Sequence, residues 1–233
     1  MKVVILAGGY GTRLSEYTKK IPKPMVEVLK VPILERIIKY YSKFNFKNFI
    51  IAAGYKEKII KQHFKNKLKK LDIRVINTGI NTMTGGRIKR LAKLLNKETF
   101  LLTYGDGLSD VNLKKLIKFH RYNKKLVTLT AVRPPARFGY LKLIGGQVKY
   151  FKEKSSTDEG WINGGFFVIE PAFLKYIKDD QTYLEREPLE NLAKKKGLAA
   201  YRHSGFWQCM DTVRDKINLE KILKQKKYKK IFD

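Results

Sequence analysis

Apolar positions along the chain follow two periods, one of strands and one of helices. Val3-Val4-Ile5-Leu6-Ala7 is a continuous apolar run rich in β-branched residues. Such a run predicts a short strand buried on both faces of a parallel sheet. Between Ile33 and Phe44 the apolar residues fall at Ile33, Leu34, Ile37, Ile38 and Tyr41. That spacing predicts an amphipathic helix. Phe49 to Ala53 predicts a second buried strand ended by Gly54, Lys58 to Leu68 a helix, and Ile73 to Ile76 a strand. A helix over Gly86–Leu95 and a strand over Thr99–Tyr104 follow, the latter stopping at Gly105-Asp106-Gly107.

Strand and helix thus alternate to about residue 120, which implies βαβ units, a parallel sheet and ligands at the carboxyl ends of its strands. Beyond that point the pattern changes. Leu126–Val132 predicts another strand, and Gly139–Lys152 alternates like an antiparallel pair turning at Gly145-Gly146. Phe166–Ile169 predicts a strand before Pro171. Helices are expected near 171–178, 186–196 and 212–227. With no internal repeat and no linker-like tract, residues 1–233 read as one α/β domain. Its expected core is a Rossmann-like, mixed but mostly parallel sheet flanked by helices.

Charge changes this picture little. The chain carries 50 Lys+Arg against 21 Asp+Glu, a formal net charge of +29. A polyanionic partner is one explanation. Yet the lysines are scattered, with local runs such as Lys65–Lys70 and Lys226–Lys230. No basic platform with interleaved aromatics is visible, so a solvated surface is favoured over nucleic-acid binding. A positive field also steers anionic substrates. The single cysteine, Cys209, excludes an internal disulfide and a cysteine-based zinc site. It suits a reducing, cytoplasmic location. The N-terminal apolar run is too short for a signal peptide, and no stretch reaches transmembrane length, so no membrane partner is expected.

Four positions carry candidate chemistry. Gly8-Gly9-Tyr10-Gly11 follows the first strand and offers backbone N–H groups without side-chain obstruction, as an anion cradle requires. Neither the dinucleotide-binding spacing nor a Walker A lysine is present. Glycines alone also suit a tight strand-to-helix turn, but Arg13 directly after them adds a phosphate-binding fork. Lys23 stands between Pro22 and Pro24, which are expected to hold its backbone extended. Asp106 ends a strand where ligands bind, and a carboxylate there suits Mg²⁺. It also suits a plain Asp-Gly turn. Asp211 follows Phe206-Trp207-Gln208-Cys209-Met210 and fits either metal ligation or an N-cap for the next helix. Spacing does not pair it with Asp106.

Together these segments resemble a family signature. Leu6–Leu14 with Pro22-Lys23-Pro24-Met25 resembles the sugar-phosphate nucleotidyltransferases. Thr82–Arg87, Thr103–Gly107, Arg137-Phe138-Gly139, Ile162–Phe167 and Phe206–Thr212 are similar to one branch, the glucose-1-phosphate cytidylyltransferases. The resemblance runs to about residue 222. It implies a nucleotide-binding half over 1–120. Over 121–233 it implies a smaller, β-rich sugar-phosphate-binding half with the C-terminal helix. The implied nucleotide site comprises Leu6, Ala7, Gly8, Gly9, Gly11, Thr12, Arg13, Lys23, Thr82, Arg87 and Gly105, with Leu6–Gly8 reading the base. Arg13 and Lys23 are the implied catalytic cations. Asp106 and Asp211 are implied to hold Mg²⁺. Gly139, Glu153, Lys154, Asn163 and Gly164 are implied along the sugar phosphate.

The implied reaction joins a nucleoside triphosphate, CTP in that branch, to glucose 1-phosphate. The alternatives are UTP, dTTP or another phosphorylated acceptor, and beyond these a non-catalytic or nucleic-acid-binding homologue. The resemblance also implies a homo-oligomer, although the Tyr55–Thr78 stretch is shorter here than in that branch. The expected nucleophile is already an anion and needs no general base, in keeping with the absence of a motif-placed histidine among His63, His120 and His203.

Overall fold

A computed structural model of the chain describes residues 1–134, 140–152 and 160–232. In chain order the first half holds β1 (Val3–Ala7), α1 (Ser15–Thr18), the ribbon β2 (Glu27–Val28) and β3 (Val31–Pro32), α2 (Ile33–Ser42), β4 (Asn48–Ala53) and α3 (Glu57–Phe64). It continues with β5 (Asp72–Asn77), α4 (Thr84–Arg90), α5 (Ala92–Leu95), β6 (Phe100–Tyr104), β7 (Gly107–Ser109) and α6 (Leu113–Asn123). The second half holds β8 (Val127–Val132), β9 (Tyr140–Ile144), β10 (Gln147–Lys152), β11 (Ile162–Ile169) and α7 (Glu187–Lys194). It closes with β12 (Leu198–Arg202), β13 (Trp207–Cys209), α8 (Val213–Leu223) and α9 (Lys226–Phe232).

Seven strands form the central sheet in the order β12-β8-β11-β6-β1-β4-β5. All neighbours pair in parallel except β11, which runs antiparallel to both β6 and β8. The mostly parallel, mixed sheet expected from the sequence is therefore present. Its apolar runs are continuous because both faces are covered. Val3, Ile5 and Ala7 pack with α2 and the C-terminal helices on one face. Val4 and Leu6 pack with Ile88, Leu95 and Leu189 on the other.

Several expected elements are redrawn. The Gly86–Leu95 helix starts at Thr84 and is two pieces, broken after Arg90. The segment Pro171–Tyr176 is a 3-10 helix, not an α-helix. The final helix is also two, because the chain turns after Leu223 so that Tyr228 and Phe232 can pack on Phe206. The strands β7 and β13 were too short to signal themselves. They pair antiparallel, Cys209 opposite Gly107, away from the main sheet.

The antiparallel hairpin β9–β10 turns at Gly145-Gly146 as expected. Leu141 faces Phe151 and Leu143 faces Val148 across it, and all four side chains are exposed.

Candidate active site

The strand order reverses beside β1: β4 and β5 lie on one side, β6 and the later strands on the other. Loops diverge at such a switch point and leave a crevice at the carboxyl ends. Here the crevice is a cleft of about 550 Å³ walled by the loop after β1, the end of β6, the start of α4 and the β13 segment. Its floor is tight. The Gly105 N–H donates to the Leu6 carbonyl at 2.9 Å, and a Cβ at Gly105 would lie 2.8 Å from that same oxygen. Gly105 thus lets β1 and β6 stay close at the cleft.

The glycine loop is held from beneath. Arg87 is buried, and its guanidinium donates to the carbonyls of Gly8 at 2.9 Å and Gly79 at 2.7 Å, and to Thr78 Oγ1 at 2.9 Å. A side chain at Gly8 would collide with that guanidinium. Arg87 therefore borders the cleft as a brace for the backbone of the glycine loop. Burial, then the neighbouring Arg90, lowers the Arg87 pKa, but a guanidinium still stays charged at neutral pH. Substituting Arg87 with methionine strands several carbonyls and is expected to cost about 2–4 kcal/mol in urea unfolding. A loss below about 0.5 kcal/mol would refute the brace, because that is the range of an ordinary surface change.

Gly11 adopts φ +66°, and a Cβ there would lie 2.8 Å from Lys23 Cβ. The loop can cross Lys23 only because Gly11 is bare. Lys23 does not lie extended. It opens a single 3-10 turn, Lys23–Met25, in which Met25 and Val26 donate to the Pro22 and Lys23 carbonyls. Pro22 itself keeps the extended conformation. The turn buries the lysine stem and aims its ammonium into the cleft.

That ammonium is the centre of the site. Lys23 Nζ lies 2.6 Å from Asp106 Oδ2 and 2.6 Å from Asp211 Oδ1. Arg13, exposed to 70%, reaches Asp211 Oδ2 at 3.0 Å. Two carboxylates distant in sequence thus meet at one cation. The β7–β13 pair brings them together, and the Met210 N–H donates to the Asp106 carbonyl at 2.8 Å. The capping role for Asp211 is overturned. Thr212 is the N-cap of α8 and forms a reciprocal capping box with Asp215. This frees the Asp211 side chain to face Lys23.

The electrostatics follow from this pairing. Burial alone would lower the Lys23 pKa, but the adjacent Asp106 and Asp211 more than offset it and the net shift is upward. For Asp211, burial raises the pKa while the Lys23 hydrogen bond and charge bring it below its usual value. Lys23 stays charged and Asp211 stays ionised at neutral pH. Cys209 lines the cleft, yet burial and then Asp211 push its thiol up to about 12. It is protonated at neutral pH and no thiolate nucleophile is available.

Among the described residues lining the cleft there is no histidine. His63 pairs with Glu35, His120 with Glu170 and Thr128, and His203 with Asp110.

Of the residues expected from sequence, Leu6, Ala7, Gly8, Gly9, Gly11, Thr12, Arg13, Lys23, Thr82, Arg87, Gly105, Asp106, Asn163 and Asp211 all border this one cleft. Gly164 stands behind it, its carbonyl accepting from Trp207 Nε1 at 2.8 Å. Gly139, Glu153 and Lys154 lie outside the described residues. Sequence reasoning missed Thr84, Tyr183 and the part played by Tyr104, which also line the cleft. Tyr104 directly precedes Gly105-Asp106 and could have been suspected from that position. Tyr183 lies in a stretch with no motif.

A glycine loop, two cations and two carboxylates at the switch point of a doubly wound sheet define a class: an α/β protein built to hold phosphorylated ligands beside paired acids. Residues 2–210 match the family described as Nucleotidyl transferase, and the chain belongs to that family. It is 46% identical over 243 residues to the glucose-1-phosphate cytidylyltransferase of Salmonella typhimurium (strain LT2), covering 94% of this chain and 95% of that protein. It is 42% identical over 247 residues to the probable glucose-1-phosphate cytidylyltransferase of Bacillus subtilis (strain 168), covering 97% of each. Both alignments are longer than the 233 residues of this chain, so both relatives carry residues that it lacks. HddC from Yersinia pseudotuberculosis, solved in complex with GMP-PN, superimposes with a TM-score of 0.74 at 26% identity, covering 95% of this chain and 99% of that one. Among the described residues no helix is long and apolar enough to cross a membrane.

Proposed function

We propose that this chain transfers a cytidylyl group from CTP to glucose 1-phosphate, giving CDP-glucose and pyrophosphate. The observation that carries the chemistry is the convergence of Asp106, Asp211, Lys23 and Arg13 beside the glycine loop. The identities of 46% and 42% to the two cytidylyltransferases support the choice of base and sugar. In this reading the half of the chain up to residue 120 binds the nucleotide through Leu6–Arg13, Thr82 and Gly105, with Arg87 as brace. The half after it binds the sugar phosphate through Asn163, backed by Gly164, with Gly139, Glu153 and Lys154.

An oxygen of the sugar phosphate attacks the α-phosphorus of the triphosphate in line. A new P–O bond forms, the bond to the bridging α–β oxygen breaks, and pyrophosphate leaves with that electron pair. Both reactants are polyanions, so repulsion between them is the main barrier. Catalysis of this kind is positioning and charge stabilisation. Lys23 and Arg13 exchange their carboxylate partners for phosphate oxygens, and the loop amides cradle the rest. Asp106 and Asp211 fit a Mg²⁺ ion because both already direct an oxygen at one cationic centre, the Lys23 ammonium. Such an ion, when bound, neutralises phosphate charge.

Self-association belongs to this reading, and the exposed apolar face of the β9–β10 hairpin supports it.

The test is a matrix of CTP, UTP, dTTP, ATP and GTP against glucose, mannose and galactose 1-phosphates, read by pyrophosphate release. The expected result is a kcat/KM for CTP with glucose 1-phosphate at least about tenfold above any other pair, which is about 1.4 kcal/mol of discrimination. A higher value for UTP, dTTP or another acceptor would reassign the substrates while leaving the chemistry in place. No turnover with any pair would overturn the chemistry.

A further inference from the structure

Glu185 stands out among groups that no step above uses. It precedes α7, and its two carboxylate oxygens have separate partners. Oε1 accepts from the Tyr104 hydroxyl at 2.6 Å, and Oε2 accepts from the Thr84 hydroxyl at 2.6 Å. The segment carrying it is bolted to α4. The Met83 N–H donates to the Asp180 carbonyl at 2.8 Å, the Gly86 N–H to the Thr182 carbonyl at 3.2 Å, and the Leu184 N–H to Thr84 Oγ1 at 2.9 Å. Glu185 therefore has a fixed place.

Tyr104 ends β6, two residues before Asp106, and lines the cleft together with Asn163. A phenol has one proton to donate. Here that O–H donates to Glu185 Oε1, so the Tyr104 oxygen is left as an acceptor. Asn163 Nδ2 donates to it at 3.3 Å, and Asn163 Oδ1 is held by the Gly165 N–H at 2.9 Å. Gly165, at φ +79°, has no room for a side chain against the Tyr104 ring. One cleft wall thus presents a tyrosine oxygen and an asparagine amide of set polarity. Such groups read hydroxyls, because a buried polar group left unpaired by the wrong ligand is costly.

We propose that Glu185 is a positioning residue for sugar selection: by accepting the Tyr104 O–H hydrogen bond it fixes that hydroxyl oxygen as an acceptor for a hydroxyl group of the sugar phosphate. This rests on the transferase reading above and names a residue within it. A glutamine at 185 offers a donor as well as an acceptor, so the Tyr104 proton is no longer held in one direction.

The experiment measures both KM values and kcat for the wild type, Glu185→Gln, Tyr104→Phe and the double variant. The acceptor is whichever sugar 1-phosphate the wild type turns over fastest. Glu185→Gln is expected to raise the sugar-phosphate KM about tenfold, the scale of a hydrogen bond to a charged group. It should move the triphosphate KM and kcat by less than about twofold. Tyr104→Phe should match it, and the double variant should be no worse than the poorer single, since both remove one interaction. With a series of monodeoxy sugar 1-phosphates, one analogue that the wild type discriminates against should lose that penalty in Glu185→Gln. A sugar-phosphate KM unchanged in both Glu185→Gln and Tyr104→Phe would overturn the proposal. So would a monodeoxy series in which no analogue loses its penalty in Glu185→Gln, because the carboxylate would then be a bolt and nothing more. A wild type that turns over no sugar phosphate would instead sink the transferase reading.

Discussion

Lys23→Ala is expected to lower kcat/KM by about 10²–10³, the loss of one preorganised charge contact at a developing anion. The structure gives this lysine a second part beside the proposed phosphate contact. It is the shared counter-charge of Asp106 and Asp211, at 2.6 Å from each, and only 11% of its side chain is exposed. Without it two carboxylates face each other with Arg13 alone to offset them. Like charges at such range raise one another's pKa and destabilise the fold. The ligand-free variant should therefore melt below the wild type. Millimolar Mg²⁺ or Mn²⁺ should restore part of that loss, because a divalent cation suits the same two oxygens. Pyrophosphate release gives the first readout, and thermal melting with and without metal gives the second. Wild-type kcat/KM at saturating metal would remove Lys23 from the phosphate site. A melting temperature indifferent to metal in the variant would remove the acid pair from metal binding.

Asp106→Asn is the second large effect. It preserves shape and takes away charge. The Asp106 carbonyl still accepts from the Met210 N–H, so the β7–β13 pairing and the fold should survive. Turnover should fall by about 10²–10³, on the scale of lost electrostatic stabilisation. The Asn variant should also lose the response of the melting temperature to Mn²⁺. Circular dichroism and a normal urea midpoint would establish that the variant is folded. Near-normal pyrophosphate release by a folded Asp106→Asn protein would sink the metal assignment. Asp211→Asn should behave alike, because Thr212 and Asp215, not Asp211, cap α8.

Much of the architecture was legible before any coordinates. The apolar run Val3–Ala7 and the strand Phe100–Tyr104 are buried on both faces, as continuous β-branched and aromatic runs require. The chain order of strands and helices sufficed for a mostly parallel sheet with a cleft at the carboxyl ends of β1 and β6. Elements of three residues or fewer were not legible. β7 and β13 carry no periodicity of their own and exist because each offers the other a partner. The break after Arg90 and the 3-10 turn at Lys23 likewise follow from packing, which a local pattern does not record.

The candidate site divides the same way. Sequence by itself determined which groups are available: an unobstructed glycine loop, a guanidinium after it, a lysine between prolines and two lone acids after apolar runs. It also determined the family, through motifs spread from Leu6 to Thr212. Only the tertiary structure decided what each group touches. Asp106 and Asp211 stand 105 positions apart, and nothing in their spacing joins them. They meet because β13 pairs with β7 and because Thr212 relieves Asp211 of capping α8. Arg87 borders the cleft as expected, and only the packing of α4 shows that its donors also brace the backbone carbonyls of Gly8 and Gly79. Glu185 carried no motif and acquires a part only when α4 and the end of β6 reach it together. The physical reason is common to all three. Chemical type is a property of one residue, but charge neutralisation, capping and hydrogen-bond direction belong to pairs, and the fold chooses the pairs.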